Sequence, residues 1–456
     1  MKNYDVIVIG SGAGAIISDE AAGQGLKTAL IDKGPLLGGT CLNWGCIPSK
    51  MLIYTADRIV EIKEGGKLGI QAEIKNINFH SIMERMRKSR QENQIHIREG
   101  LRQFKNLDFY EGEGYFVDNY ILEVNGEKLK GERIFIASGA RPSIPPIKGL
   151  ENVDYLTNES ILELQERPDS LIIVGGGYIA VEFGHFFTAM GTEVTILEMA
   201  DRLILSEEPE ISDLLKSELS KRMGVYTNAL VEEVKESEHG VMVVTKDPNT
   251  GQQREFAAKK IMMAVGRKPN ADILKVENSG VGTEKNGFIN VNEYLETTQK
   301  DIFAIGDANG QQMFRHMANR EAEIVTQNAF YGTKIKVDYS TVPHAVYSHP
   351  QIASVGLTEE QAREHNNILS GRTNYFDTAK GEAMMEKEGF TKAIVEKGSN
   401  KILGFHIIGP YAPELIQEVV NAMTSGGGME ELSQGIHIHP ALSEIIQYTL
   451  SSLGEP

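Results

Sequence analysis

Cys41 and Cys46 are the only cysteines in the 456-residue chain, and four residues separate them. A cross-link closing so small a loop restrains little of the unfolded chain, so a structural staple is a weak reason for the pair and dithiol–disulfide redox chemistry a stronger one. Metal binding is a poor alternative, because a structural zinc site takes four nitrogen or sulfur ligands and no histidine or further cysteine lies close by in the sequence; no metal is expected. The pair sits in Gly38-Gly39-Thr40-Cys41-Leu42-Asn43-Trp44-Gly45-Cys46-Ile47-Pro48-Ser49-Lys50. Gly38, Gly39 and Thr40 let the backbone approach a ligand closely. The apolar periodicity of residues 50–60 predicts a helix continuing from the cysteines. A thiolate near a helix N-terminus and the Lys50 ammonium is stabilised, which lowers its pKa and arms it.

Thiol–disulfide exchange also needs a proton acceptor when a dithiol attacks and a donor when a thiolate leaves. His437-Ile438-His439-Pro440-Ala441-Leu442-Ser443-Glu444 supplies one. Pro440 at a first helical position would put His439 near the cap, and Glu444 one turn down would orient its imidazole. His437 is taken as structural.

The surrounding elements must place these groups. Residues 4–9 are an apolar run ending at Gly10-Ser11-Gly12-Ala13-Gly14-Ala15, followed by a helical stretch, a second apolar run and Asp32, 22 positions after Gly10. This is strand, glycine turn, helix, strand and acid, the pattern in which a helix N-terminus holds a pyrophosphate and a carboxylate grips a ribose. The same grammar recurs at 171–180, with Glu198 standing 23 positions after Gly175. Two such units imply two dinucleotides, and the one followed by the cysteines should seat the redox cofactor: FAD first, NAD second. Glu198 favours NAD over NADP, since a 2′-phosphate would meet a like charge. Nearby Arg202 has two readings, a loop cation paired with Glu198 or with solvent, or a phosphate ligand, and the first is preferred.

Residues 133–142 align without gaps on 260–269, each a strand ended by glycine and then proline. They read as two crossings between domains, so an NAD domain at 143–268 is inserted in an FAD domain at 1–142 and 269–340. Asp307, after the apolar run 302–305, has two readings: a strand-end turn residue, or a carboxylate holding ribityl hydroxyls. From 341 to 456 short alternating strands and helices at 412–423 and 442–450 look like an α+β domain. The fold class expected is therefore α/β, two Rossmann-like domains plus a C-terminal α+β interface domain. A length of 456 residues allows two to four compact units, and 46 basic against 63 acidic residues give a net charge of −17, which repels nucleic acid and anionic membranes. With no long apolar run and no signal segment at Met1, a cytoplasmic protein is expected.

These segments together resemble the class I FAD-dependent pyridine nucleotide–disulfide oxidoreductases over essentially the whole length: GGTCLNWGCIPSK at 38–50, GGGYIAVEFG at 175–184, VGRKPN at 265–270, IFAIGDANG at 302–310 and HIHPALSE at 437–444. Within that family the chain looks like a dihydrolipoamide dehydrogenase, which oxidises dihydrolipoamide with NAD+. The resemblance implies that Cys46 is the thiol in charge-transfer contact with the flavin and Cys41 the interchange thiol facing substrate. It implies that Lys50 pairs with Glu182 near the flavin and that Tyr178 covers the nicotinamide pocket. On this reading Gly10, Gly12, Gly14, Ala15, Asp32, Lys33, Gly39, Thr40, Lys50, Gly114, Ser138, Gly139, Asp307, Phe314, Arg315 and His316 hold FAD. Gly175, Gly177, Tyr178, Ile179, Glu182, Glu198 and Gly266 hold NAD. Members are homodimers in which His and Glu act on the partner's cysteines, so His439 and Glu444 would work in trans; the partner substrate would be a small dithiol or disulfide, or a lipoyl domain of a 2-oxoacid dehydrogenase complex. One departure stands out. Arg315 occupies a position where a small residue is usual, and it, Ala318-Asn319 and His439-Pro440-Ala441-Leu442 are also similar to mycothione reductase, an NAD(P)H-dependent reductase of a low-molecular-weight disulfide. An oxidase or metal-ion reductase would usually add cysteines or a terminal thiol pair, and residues 451–456 carry none.

Overall fold

The apolar run at the start of the chain forms the strand Lys2–Ile9, paired in parallel with Thr28–Asp32 on one side and Glu127–Ile136 on the other. It lies inside a seven-stranded sheet in the order Leu107–Glu111, Thr28–Asp32, Lys2–Ile9, Glu127–Ile136, Ile121–Val124, Tyr115–Asp118. Ile302–Ala304 pairs with the far end of Glu127–Ile136. Ile7 and Ile9 are buried with Phe116, Leu122 and Ile134, while Val6 and Val8 are buried on the opposite face with Ile17, Ala21 and Phe135. Both faces are covered, which is why the strand is a continuous apolar run with no alternation.

The computed structural model describes residues 1–238 and 240–455. The chain divides into two compact units, the first made of Met1–Ser49, Met83–Ser143 and Gly266–Tyr339, the second of Lys50–Ile82, Ile144–Val265 and Ser340–Pro456. In the first unit the two segments read as crossings run side by side as antiparallel strands, Ala140–Pro142 against Arg267–Pro269.

The second unit holds a five-stranded parallel sheet in the order Gly224–Tyr226, Glu193–Leu197, Ser170–Val174, Lys260–Met263, Tyr155–Leu156. The gapless echo between 133–142 and 260–269 has a steric meaning here. Gly10 has φ +103°, and a Cβ there would lie 2.3 Å from Ala137 O; Gly175 has φ +113°, and a Cβ there would lie 2.3 Å from Ala264 O. In each sheet the echoed strand supplies the carbonyl that excludes any side chain from the first position of the glycine turn. The unit also contains a five-stranded antiparallel sheet in the order Pro343–Val346, Ile352–Gly356, Ile402–Ile408, Phe390–Glu396, Ile368–Asn374. The helices Ala412–Thr424 and Glu444–Ser451 bury Ile416, Val419, Ile445 and Leu450 with its Val355, Phe405 and Ile407.

Lys392, 8% exposed, carries the least expected feature of this unit. Its Nζ meets Glu208 at 2.9 Å, Glu210 at 2.8 Å and Glu359 at 2.8 Å. Burial alone would lower its pKa, but the three carboxylates outweigh it and raise it above the ordinary lysine range. Lys392→Met leaves Glu210 with Arg372 and Glu359 with Arg363 but takes the lysine away from the buried Glu208, so thermal or urea unfolding should show a loss of about 3–5 kcal/mol, the usual cost of removing one partner of a buried ion pair. Among the described residues no helix is long and apolar enough to cross a membrane.

Two expected helix boundaries move. The helix foreseen from residue 50 starts at Cys46 and runs to Glu64, because Ser49 N–H already donates to Gly45 O at 3.0 Å and Pro48 falls in the first turn, where no donor is needed. Pro440 does not open the last helix, which begins at Glu444. The Glu444 carboxylate accepts the Ala441 N–H at 3.0 Å, so a side chain, not a helical turn, satisfies the backbone after Pro440.

Candidate active site

Cys41 lies in the short helix Gly39–Asn43 and Cys46 is the first residue of the helix Cys46–Glu64. Both are thiols in this structure, Cys41 half-buried and Cys46 exposed. Their hydrogen bond, reinforced by burial, holds the Cys41 thiol well above its ordinary pKa, and the charge of Arg315 opposes that rise. Sulfurs in such contact are a dithiol poised for closure to a disulfide; the Cys41 thiol is raised, not lowered as expected from a helix N-terminus and Lys50, because the shared hydrogen bond and burial outweigh the nearby Arg315 charge.

The loop is fixed from within. Asn43, fully buried, donates from Nδ2 to Leu37 O at 2.8 Å and Gly39 O at 3.0 Å, and its Oδ1 accepts Gln94 Nε2 at 2.9 Å. Gln94 Oε1 in turn accepts Leu37 N–H at 2.7 Å. Gln94 lies 51 residues beyond Asn43, with no local pattern announcing it, and sequence reading missed it. The cysteine segment also lies directly on the first glycine turn: a Cβ on Gly39 would stand 2.8 Å from Gly12 Cα. Arg315 opens the helix Arg315–Tyr331, and its Nη1 stands 3.8 Å from the place of a Gly12 Cβ.

The same unit carries the groups suited to a dinucleotide. Asp32 ends its strand accepting Ser11 N–H at 2.8 Å, Ser11 Oγ at 2.6 Å and Gly34 N–H at 3.0 Å, and Ser11 Oγ accepts Gly38 N–H at 2.8 Å. The acid thus ties the glycine turn to the stretch that leads to the cysteines. Lys33 beside it is exposed. Ser138 Oγ is buried with no hydrogen-bond partner, Gly139 has φ +65° with open space at its Cβ position, and a Cβ on Gly114 would press on Ile31 at 2.9 Å. Burial raises the Asp307 carboxyl, against the pull of Arg267, whose Nε is 3.2 Å from Asp307 Oδ2. Arg267 Nη2 also reaches Thr40 Oγ1 at 3.4 Å, next to Cys41. Phe314 caps the Arg315–Tyr331 helix and stacks on His316, centroids 5.5 Å apart. Glycine turns with no room for side chains, an acid at the strand end and an orphaned buried hydroxyl fit a bound FAD.

In the second unit Lys50 Nζ lies 2.7 Å from both Glu182 oxygens, and Glu182 also accepts Tyr347 N–H at 3.1 Å. Gly177 caps the helix Tyr178–Ala189, which begins with Tyr178 and Ile179. Burial pushes the Tyr178 phenol up to about 12, so it stays protonated. Glu198 Oε1 accepts Ala200 N–H at 2.7 Å. Arg202 makes no ion pair with it among the described residues, and its Nε is buried without a hydrogen-bond partner, so of the two expected partners, Glu198 and solvent, Glu198 is not one. These groups fit a second dinucleotide; Gly266, in the first unit, has φ +123° and open space at its Cβ position.

His439 Nδ1 is 2.9 Å from Glu444 Oε1, and the ring is 68% exposed. The bonds from Ala441 N–H and His439 hold the Glu444 carboxyl below its ordinary range, so at neutral pH it is a carboxylate that fixes the exposed ring through Nδ1. The His439–Glu444 contact thus forms although the expected helix around it does not. His437 is tied to Glu418 at 2.7 Å. Among the described residues no group of three or more His, Cys, Asp or Glu is gathered as a metal site.

Comparison with known proteins matches residues 4–322 to the family described as pyridine nucleotide-disulphide oxidoreductase and residues 342–450 to the dimerisation domain of the same enzymes. The chain is 35% identical to a mercuric reductase of Lysinibacillus sphaericus, over 97% of this chain and 81% of that protein. It is 34% identical to a mycothione reductase of Mycobacterium tuberculosis, over 99% and 100%. A dihydrolipoyl dehydrogenase of Geobacillus stearothermophilus is 35% identical, over 99% and 97%. Among solved structures, a Cu(II) complex of the HOCl-induced flavoprotein disulfide reductase RclA from Escherichia coli superposes with a TM-score of 0.88 at 30% identity, covering 99% of each chain. The chain belongs to the pyridine nucleotide-disulphide oxidoreductases, homodimeric FAD enzymes that move electrons between a nicotinamide nucleotide and a disulfide centre.

Proposed function

We propose that the protein is a dihydrolipoamide dehydrogenase, oxidising dihydrolipoamide, free or carried on a lipoyl domain, with NAD+ in the cytoplasm. The observation that carries the redox reading is the hydrogen-bonded Cys41–Cys46 pair set against the Gly12 turn. Glu198 at the end of its strand supports NAD over NADP. Residues 1–142 and 269–340 form the FAD domain, 143–268 the NAD domain and 341–456 the interface domain. The glycine turn, Asp32, Ser138 and Asp307 would hold FAD, whose chemistry when bound would be to relay an electron pair between the reduced sulfurs and NAD+.

In the thiol half-reaction His439 Nε2 of one subunit takes a proton from a substrate thiol, and the resulting thiolate attacks Cys41 of the partner's Cys41–Cys46 disulfide. The S–S bond breaks, Cys46 leaves as a thiolate, and substrate is held to Cys41 as a mixed disulfide. The second substrate sulfur then displaces Cys41, forming the cyclic disulfide product and leaving both cysteines reduced. Glu444 stabilises the imidazolium in between, and the charge of Arg315 favours thiolate at the pair. Lys50 and Glu182 are placed to bridge the cysteine helix and the nucleotide helix.

A second reading, an NAD(P)H-dependent reductase of a small-molecule disulfide, is favoured by two observations: the cation Arg315 beside the cysteines and the unpartnered Arg202 Nε after Glu198. Rates with dihydrolipoamide plus NAD+, set beside rates with several low-molecular-weight disulfides plus NADH or NADPH, decide between them. The first reading expects the dithiol assay to dominate and NADH to be preferred over NADPH; dominant NADPH-driven disulfide reduction contradicts it.

A further inference from the structure

Ser206 and Glu207 lie outside every motif above, between the strand Glu193–Leu197 and the helix Pro209–Ser220. The Tyr178 hydroxyl shares a 2.8 Å hydrogen bond with Ser206 Oγ. Its ring lies along the His344 imidazole, centroids 6.1 Å apart and planes inclined by 29°. His344 is itself fixed, with Nε2 2.6 Å from Glu207 Oε1, and Ser354 Oγ donates to Glu207 Oε2 at 2.6 Å. Glu207 is 1% exposed and directly follows Ser206 in the chain, so the Ser206 and His344 contacts of Tyr178 are both anchored at one buried carboxylate.

We propose that Ser206, His344 and Glu207 form a brace that holds Tyr178 in its resting place and so sets how readily the ring gives way to a nicotinamide. The proposal rests on the reading of Tyr178 as the cover of that pocket; Ser206, His344 and Glu207 are positioning residues for it. A nicotinamide and the ring compete for one space, so the apparent dissociation constant is the intrinsic one divided by the fraction of molecules whose ring is displaced. Loosening the brace raises that fraction and tightens NAD+ binding. ADP-ribose has the same adenosine and pyrophosphate but no nicotinamide, so it binds without moving the ring.

The test is titration calorimetry of the oxidised, FAD-loaded dimer with NAD+ and with ADP-ribose, for the natural protein, Tyr178→Ala, Ser206→Ala and His344→Phe. Losing one hydrogen bond to the ring should tighten NAD+ binding by about two- to tenfold in Ser206→Ala. Tyr178→Ala should tighten it at least as much, and ADP-ribose binding should be unchanged in both. His344→Phe keeps a ring but leaves Glu207 with Ser354 and without the imidazole, so its thermal midpoint is read alongside; Ser206, exposed, can be truncated without burying an unpaired group. If Tyr178→Ala shifts NAD+ alone while Ser206→Ala shifts nothing, the brace is wrong and the cover stands. If Tyr178→Ala shifts neither ligand, the reading of Tyr178 falls and takes the brace with it. Equal shifts for both ligands in Ser206→Ala would mean a general structural role and would overturn the brace.

Discussion

Cys46→Ser abolishes dithiol-dependent NAD+ reduction while the protein still folds, dimerises and takes up FAD. Cys46 is exposed at the first position of its helix, where a serine hydroxyl fits without a cavity or an unsatisfied buried group, so stability should change little. What disappears is the sulfur that can leave as a thiolate when Cys41 is attacked, and an alkoxide cannot replace it. Two readouts separate this from a folding defect: the long-wavelength absorbance of two-electron-reduced enzyme is lost, and flavin reduction by NADH persists. Turnover of dihydrolipoamide at a rate near that of the natural protein would end the disulfide proposal.

The second large effect is expected at His439. His439→Gln keeps a polar side chain beside Glu444 but removes the proton carrier, so the thiol half-reaction should slow by about 10² to 10⁴, the usual range for general acid–base assistance. NADH reduction of the flavin, which does not use this group, should be untouched; stopped-flow measurement of each half-reaction reads the two separately. Because the Glu444 carboxyl is held below its ordinary value, its grip on His439 is complete above the ordinary carboxylate range and is lost only as pH falls through the depressed value. The action in trans has its own signature. A Cys46→Ser subunit paired with a His439→Gln subunit retains one site with both natural halves. Mixing and exchanging the two inactive homodimers should therefore restore roughly a quarter of natural activity, half the dimers being mixed and each having one working site of two. No recovery would place both groups in one chain.

Much of this was legible in the sequence because it is local. The residues of each glycine turn, the cysteine pair and His439–Glu444 lie within a few residues of one another, and the strand-end acids stand at a fixed offset of 22 or 23 positions within one strand–helix–strand unit. What escaped was contributed from far along the chain. Gln94 reaches Asn43 across 51 residues, His344 reaches Glu207 across 137, and Lys392 gathers acids from two other segments. No periodicity or spacing marks such partners; they become visible only when tertiary packing brings them together. The last helix illustrates the reverse error. Pro440 looked like a helix start because proline suits that position, but the Glu444 carboxylate satisfies the Ala441 N–H first and the helix waits until Glu444.

The account turns on Cys41 and Cys46 being a redox pair in electronic contact with the flavin. Anaerobic titration of the FAD-loaded dimer with NADH, followed by counting reactive thiols in the quenched, unfolded protein, tests this directly. The first equivalent of NADH per subunit should raise the count from zero to two thiols per chain, both lost again on adding lipoamide. A count that stays constant while the flavin bleaches would show that electrons reach the ring and never the sulfurs, and would contradict the account.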